Sequence, residues 1–222
     1  MKIGVSSCLL GERVRYNGEL KRSALIADGM ADIFDFVAVC PEVEAGFPVP
    51  RPAVRLVGES QSPRALEVDN PLIDITAELA LFSRQRAVGL EGICGYLFKA
   101  GSPSCGLDIA LFDLSGKTVG RSRGIFARTV QENFPLLPVA DERHMEDPVN
   151  GERFLLRVIL YSYWRGVSVP GGSPGKLLRN WVETLYPGVR ASPQIAAILR
   201  QRLRKPEDAE QLLRESTVSR WY

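Results

Sequence analysis

The chain has 222 residues, 45% hydrophobic and 24% charged, with a formal net charge of +2 and one histidine. That is enough apolar material for one large globular domain, or one domain with a small appendage, and it excludes disorder, a collagen repeat and a disulfide-rich scaffold. Apolar runs such as Phe36 to Val39 fall far short of the roughly 20 residues a membrane-spanning helix needs, so no membrane segment is expected.

The opening Met1 to Gly11 has one positive charge and too little apolar length for a secretory signal, which makes a cytoplasmic address the expectation. Lys2 to Ser6 reads as a strand, followed by a turn at Ser6 to Gly11. Ser23 to Phe34 has helical spacing with Ser23 as its N-cap. Phe36 to Val39 is a second strand, stopped at Cys40-Pro41, where proline removes a ladder donor. Residues 41 to 64 hold Pro41, Pro48, Pro50, Pro52 and Pro63, so an ordered loop or strand fragment is expected there, not a helix. Leu72, Ile75, Leu79 and Phe82 recur at helical spacing after Asn70-Pro71, predicting a helix to about Ala87.

Gly92 to Phe98 is a third apolar run and ends in a glycine- and serine-rich loop. Asp108 to Leu114 fits a short strand or a turn, Gly124 to Phe134 a helix, and Leu136 to Val139 a fourth strand. Short continuous apolar runs alternating with helices predict an α/β fold with a parallel-sheet, Rossmann-like core covered on both faces. From Asp141 the composition changes: between Gly151 and Lys205 ten Lys or Arg stand against two Glu. We therefore divide the chain into an α/β domain, 1–140, and a small all-helical appendage with a basic bias, 141–222, with helices at Glu152–Arg165, Lys176–Tyr186 and Pro193–Arg204. Asp141 to Asp147 reads as a charged linker, with His144 at the surface. One histidine also excludes any two-His zinc site within a single chain.

Four cysteines without an export signal argue for thiol or metal chemistry over disulfides. Three share one kind of position: Cys8 follows the first strand, Cys40 ends the second, and Cys105 lies in the loop after the third. In an open parallel sheet, ligands collect outside the carboxyl ends of the strands, so these three side chains are candidates to meet. Cys94 lies inside the third run and reads as core. Three soft thiolates suit an iron–sulfur cluster with one iron left without a protein ligand, but free thiols and zinc stay open on spacing alone.

The motifs add more. Ser6-Ser7-Cys8-Leu9-Leu10-Gly11 with Val14-Arg15-Tyr16-Asn17-Gly18, then Val39-Cys40-Pro41-Glu42 with Gly46 and Pro50-Arg51-Pro52, then Phe98 to Gly106 (Phe-Lys-Ala-Gly-Ser-Pro-Ser-Cys-Gly) resemble three hallmark segments of the thiouracil desulfidase family, over roughly residues 1 to 140. The resemblance implies a [4Fe-4S] cluster held by Cys8, Cys40 and Cys105, and non-redox removal of sulfur from a thiolated pyrimidine. It makes Glu42 the candidate acid–base group, with Glu44 two residues away as its competitor. Ser102 becomes a candidate to position water, and Lys99, Arg51 and Ser104 candidates to contact substrate. A second class keeps the same cysteines but makes the chain a metal- or redox-sensing nucleic-acid-binding module.

The basic tail bears on the substrate. Arg153 with Arg157, and Arg200 with Arg204, are spaced to line helix faces, and Tyr163, Trp164, Trp181 and Trp221 offer stacking surfaces for tRNA. The reading we favour is plainer: a solvated face whose aromatics anchor the appendage to the sheet domain.

Overall fold

The computed structural model describes residues 1–166, 173–193, 199, 202–203 and 205–218. Its centre is a parallel four-stranded sheet made of β1 (Lys2–Ser6), β2 (Asp35–Val39), β5 (Tyr96–Phe98) and β8 (Val139–Asp141), in the order β2-β1-β5-β8. Gly4 pairs with Val37 on one side and Tyr96 on the other, and Tyr96 pairs in turn with Val139. The chain leaves β1 towards β2 and later returns to the other flank of β1, so the strand order reverses between β1 and β5. A crevice opens at such a reversal, at the carboxyl ends of the strands.

A second sheet was not expected. The proline-rich stretch contains the antiparallel hairpin of β3 (Val54–Glu59) and β4 (Ser62–Glu67), and β6 (Ile109–Phe112) with β7 (Thr118–Ser122) forms another; β3 and β6 join them in parallel, giving β4-β3-β6-β7. Pro63 lies in edge strand β4, where a missing N–H costs little. Leu56, Ala65, Leu79, Ile109 and Leu111 form a separate small core under this sheet.

Helix boundaries moved where strand pairing or capping decided them. The expected helix after Pro71 begins only at Thr76 and runs to Val88 as α2, because the backbone before it pairs with β4, Ile75 donating to the Ala65 carbonyl at 3.0 Å; Leu72 is left 93% exposed. Ser23–Phe34 is not a regular helix but one π-helical turn, Leu25–Gly29, followed by turns, in a stretch whose Ala-Asp-Gly-Met-Ala-Asp composition favours no long helix. α3 (Ile125–Asn133) lies where expected. The stretch taken for a linker is α4 (Glu142–Glu146), capped by Asp141, which accepts from the N–H groups of Arg143 and His144.

In the tail, α5 (Pro148–Trp164) and α6 (Pro174–Leu185) correspond to two expected helices, and α7 (Pro206–Val218) had not been foreseen. The helix expected at Pro193–Arg204 falls largely outside the described residues, as does Trp221. Residues of the parallel sheet and of α5, α6 and α7 belong to one continuous apolar core. Trp181 stands edge-on to Phe34 at 4.9 Å, and Trp164 donates to Glu210 while packing on Tyr161. Both rings are engaged in packing.

Candidate functional site

The carboxyl ends of β1, β2 and β5 open on a cavity of about 470 Å³. Cys8, Cys40 and Cys105 all line it, whereas Cys94 is buried near the other end of the sheet, its N–H bonded to the Lys2 carbonyl. Cys8 lies in a 3-10 turn directly after β1, and Cys40 immediately precedes α1 (Pro41–Glu44), whose first N–H groups reach the Cys40 sulfur. This single helical turn stands where a loop was expected, proline being tolerated at its first position. Cys105 lies in a tight loop closed by the Gly106 N–H on the Ser102 carbonyl. Glycine is required around this loop. A Cβ at Gly124 would stand 2.5 Å from the Ser104 carbonyl, so only glycine lets the start of α3 press on the loop carrying Cys105.

Burial disfavours the charged thiolate at all three sites. It pushes Cys8 up to about 12, and it raises Cys40 and lifts Cys105 well above the usual thiol range. The cysteines also act on one another: Cys40 raises Cys8, and both raise Cys105. Lys99 is the main opposing influence on Cys8. Among the described residues, no three His, Cys, Asp or Glu side chains converge closely enough to hold a single metal ion.

The polar residues sort clearly. Glu42 lines the cavity; Glu44 does not, its carboxylate being taken by the Cys40 N–H at 2.8 Å and by Arg86 at 3.3 Å. One Glu42 oxygen accepts from the Ser104 hydroxyl at 2.6 Å, and the other from Arg51 Nε at 2.7 Å. Arg51 lines the cavity but is committed: Nη1 donates to the Pro48 carbonyl and Nη2 to the Val14 carbonyl. Ser104 is buried and turned to Glu42, away from the cavity it was expected to line. Ser102 does face the cavity. Its oxygen accepts the N–H groups of Ser104 and Cys105, leaving its own hydrogen to donate.

Lys99 lines the cavity and forms an ion pair with Glu142, whose second oxygen accepts the Ala100 N–H at 2.8 Å. Glu142, and Arg143 on the cavity wall, escaped the sequence reading because their segment looked like a linker. Their position just past the fourth strand was the available signal. Arg15, Tyr16 and Lys21 complete the polar rim. His144 lies outside this cavity, with Nδ1 2.8 Å from Asp141 Oδ1.

The arrangement is a partly enclosed cavity with three thiols, a carboxylate and a hydroxyl at the strand ends. A family model for 2-thiouracil desulfurase matches residues 3–142. A solved structure of a [4Fe-4S]-dependent thiouracil desulfidase, TudS, matches with a TM-score of 0.54 and 32% identity, covering 65% of this chain and 93% of that one. No curated protein matches the chain. The family model extends over most of the chain and ends where the strands that form the cavity are complete, and on this ground the chain belongs to the 2-thiouracil desulfurase family.

Proposed function

We propose that this protein is an iron–sulfur-dependent desulfidase that converts a thiolated pyrimidine and water to the oxo-pyrimidine and hydrogen sulfide, with no net change of oxidation state. The observation that carries this reading is that Cys8, Cys40 and Cys105 line one cavity together with Glu42 and Ser102. The donor set fits a cluster. It is all sulfur, and the three thiols line one cavity without forming a single-ion site among the described residues, which suits a polynuclear group better than a tetrahedral zinc ion. Cys8, Cys40 and Cys105 would hold the cluster; when bound, it would supply at its remaining iron a Lewis acid for a soft sulfur atom.

The chain's own residues account for the remaining needs. Replacing sulfur by oxygen requires a group that takes a proton from water and a donor that orients it. Glu42, held by Arg51 and Ser104 with its carboxylate against the cavity, serves as the proton acceptor. Ser102 has a free hydroxyl hydrogen to direct at water or at the base. Lys99 balances negative charge near Cys8, and with Arg143 it offers donors to the oxygens of the substrate. A sensor module needs neither Glu42 nor Ser102 at the cavity, so their placement favours the enzyme.

No helix among the described residues is long and apolar enough to cross a membrane. Trp181 and Trp164 are occupied in packing, which favours a free pyrimidine over thiouridine in tRNA as substrate. The test is anaerobic reconstitution followed by iron and sulfide analysis, then sulfide release from thiouracil and from thiolated tRNA. About four iron and four sulfide per chain with release from thiouracil is the expected result. A colourless protein, or a coloured one that releases no sulfide from either compound, overturns the reading.

A further inference from the structure

Sequence reasoning makes Arg51 a substrate contact; its bonds point elsewhere. The backbone N–H of Arg51 donates to the Tyr16 carbonyl at 2.7 Å, and its Nη2 to the Val14 carbonyl at 2.9 Å, so the residue is strapped twice to the loop that follows Cys8. Val14 is also the carbonyl that the Cys40 thiol faces, at 3.7 Å. The same guanidinium grips Glu42, two residues beyond Cys40, with Nε and Nη2 at 2.7 and 2.6 Å from one oxygen. The second Glu42 oxygen takes the hydroxyl of Ser104, the residue before Cys105. An unbroken chain of bonds, Tyr16 and Val14 to Arg51 to Glu42 to Ser104, therefore ties the loop that follows Cys8 to the two segments that carry Cys40 and Cys105. Both ends of the central pair are shielded, with side-chain exposures of 6% for Arg51 and 12% for Glu42, and Ser104 is almost fully buried.

We propose that Arg51 is a positioning residue: through its fork to Glu42, Val14 and Pro48, and through Glu42 to Ser104, it sets the spacing of Cys8, Cys40 and Cys105 and so governs how firmly the cluster is kept. Two features support this over substrate binding. The donors of Arg51 are already directed at protein oxygens, and two of the acceptors, at Glu42 and Val14, lie 9 and 37 residues away in segments that no local hydrogen bond would align. A planar fork is needed, because a single ammonium cannot reach Glu42, Val14 and Pro48 together. The inference rests on the cluster-binding role proposed above for the cysteines.

The experiment compares the reconstituted full-length parent with Arg51→Lys and Ser104→Ala. Folding is checked by circular dichroism, cluster retention by the decay of the sulfur-to-iron charge-transfer absorbance under a ferrous chelator, and catalysis by kcat and KM normalised to bound iron. Arg51→Lys is expected to lose its cluster at least tenfold faster than the parent, with KM within twofold. Ser104→Ala, which removes one leg only and is the readout should Arg51→Lys misfold, is expected to lose it two- to fivefold faster. Parent-like retention in both variants overturns the proposal, and so does parent-like retention in Arg51→Lys with a raised KM, which returns Arg51 to the substrate. A parent that takes up no iron overturns it together with the reading on which it rests.

Discussion

The two ends of the parallel sheet carry the same residue type under opposite conditions. Cys94 lies near the amino end of β5 at 1% exposure, with core residues such as Leu90 and Ile93 about it and no carboxylate among the influences on its thiol. Cys105 lies beyond the carboxyl end of the same strand, equally buried, yet it bonds to Ser6 and feels Cys8, Cys40 and Glu42. Burial therefore does not separate these two cysteines. The difference is the company that strand polarity assembles: at one end side chains fill space, and at the other three loops deliver sulfur, carboxylate, hydroxyl and cations to one cavity.

Cysteine replacement gives the sharpest test of that contrast. Serine at Cys8, Cys40 or Cys105 should each abolish stable iron binding, whereas Cys94→Ser should keep the iron and lose only the modest stability of one mispacked core group, about 1–3 kcal/mol. Iron content after anaerobic desalting checks both ends at once. Loss of iron in Cys94→Ser would erase the distinction between the two ends.

Next in size is Glu42→Gln. The amide keeps the shape and still accepts a hydrogen bond but cannot take up a proton, so turnover per bound cluster should fall by about 10²–10⁴. Single-turnover sulfide release, normalised to iron, measures it. Turnover unchanged from the parent would leave the cavity without its base.

The contrast between the sheet ends was legible in the sequence because it depends on strand polarity. Phe36 to Val39 and Gly92 to Phe98 announce apolar strands, and Cys40 falls where the first stops and Cys105 in the loop after the second. The second sheet was not legible: Arg55, Gly58, Glu59, Pro63 and Arg64 interrupt the apolar patterns of β3 and β4, and the sheet is completed by the pairing of β3 with β6, a strand remote in sequence. The work of Arg51 was hidden for a related reason. Its acceptors lie 9 residues away at Glu42 and 37 at Val14, and a sequence records no such meeting. Glu142 was overlooked because a charged run beside a histidine looks solvated until its carboxylate is found against Lys99 and Ala100.

A smaller effect separates the buried pair Lys99–Glu142 from the surface. The two side chains are 14% and 11% exposed, so Lys99→Met would leave Glu142 buried without its cation, at a cost of about 3 kcal/mol. For a chain of this size that is a fall in Tm of roughly 6–12 °C. Lys99 also opposes the upward push on Cys8, so its loss should carry Cys8 further up and shift iron uptake, which needs the thiolate, to more alkaline solution. The sign for the metal-free parent follows from the same group. A thiol raised from 9.0 to about 12 on folding stabilises the fold below pH 9, and that contribution disappears as pH climbs to about 12. Thermal melts of metal-free protein across this interval should show Tm falling, and more steeply than for Cys8→Ser.

The smallest expected effect lies on the second sheet. Arg121 and Asp108 form an ion pair 2.6 Å long, as short as the one between Arg51 and Glu42, but their side chains are 61% and 67% exposed. Water already solvates both charges, and holding two long side chains together offsets most of their screened attraction. Arg121→Gln should therefore leave Tm, iron content and turnover at parental values, even though the bond it deletes is no longer than the one between Arg51 and Glu42. If Arg121→Gln lowered Tm as far as Lys99→Met does, bond length would govern these pairs and the burial argument built on the carboxyl end of the sheet would fail. If it lowered turnover alone, the cavity lined by Arg121, Arg123 and Arg128 would be connected to the chemistry at the cysteines, and the two sheets could no longer be treated as separate in function.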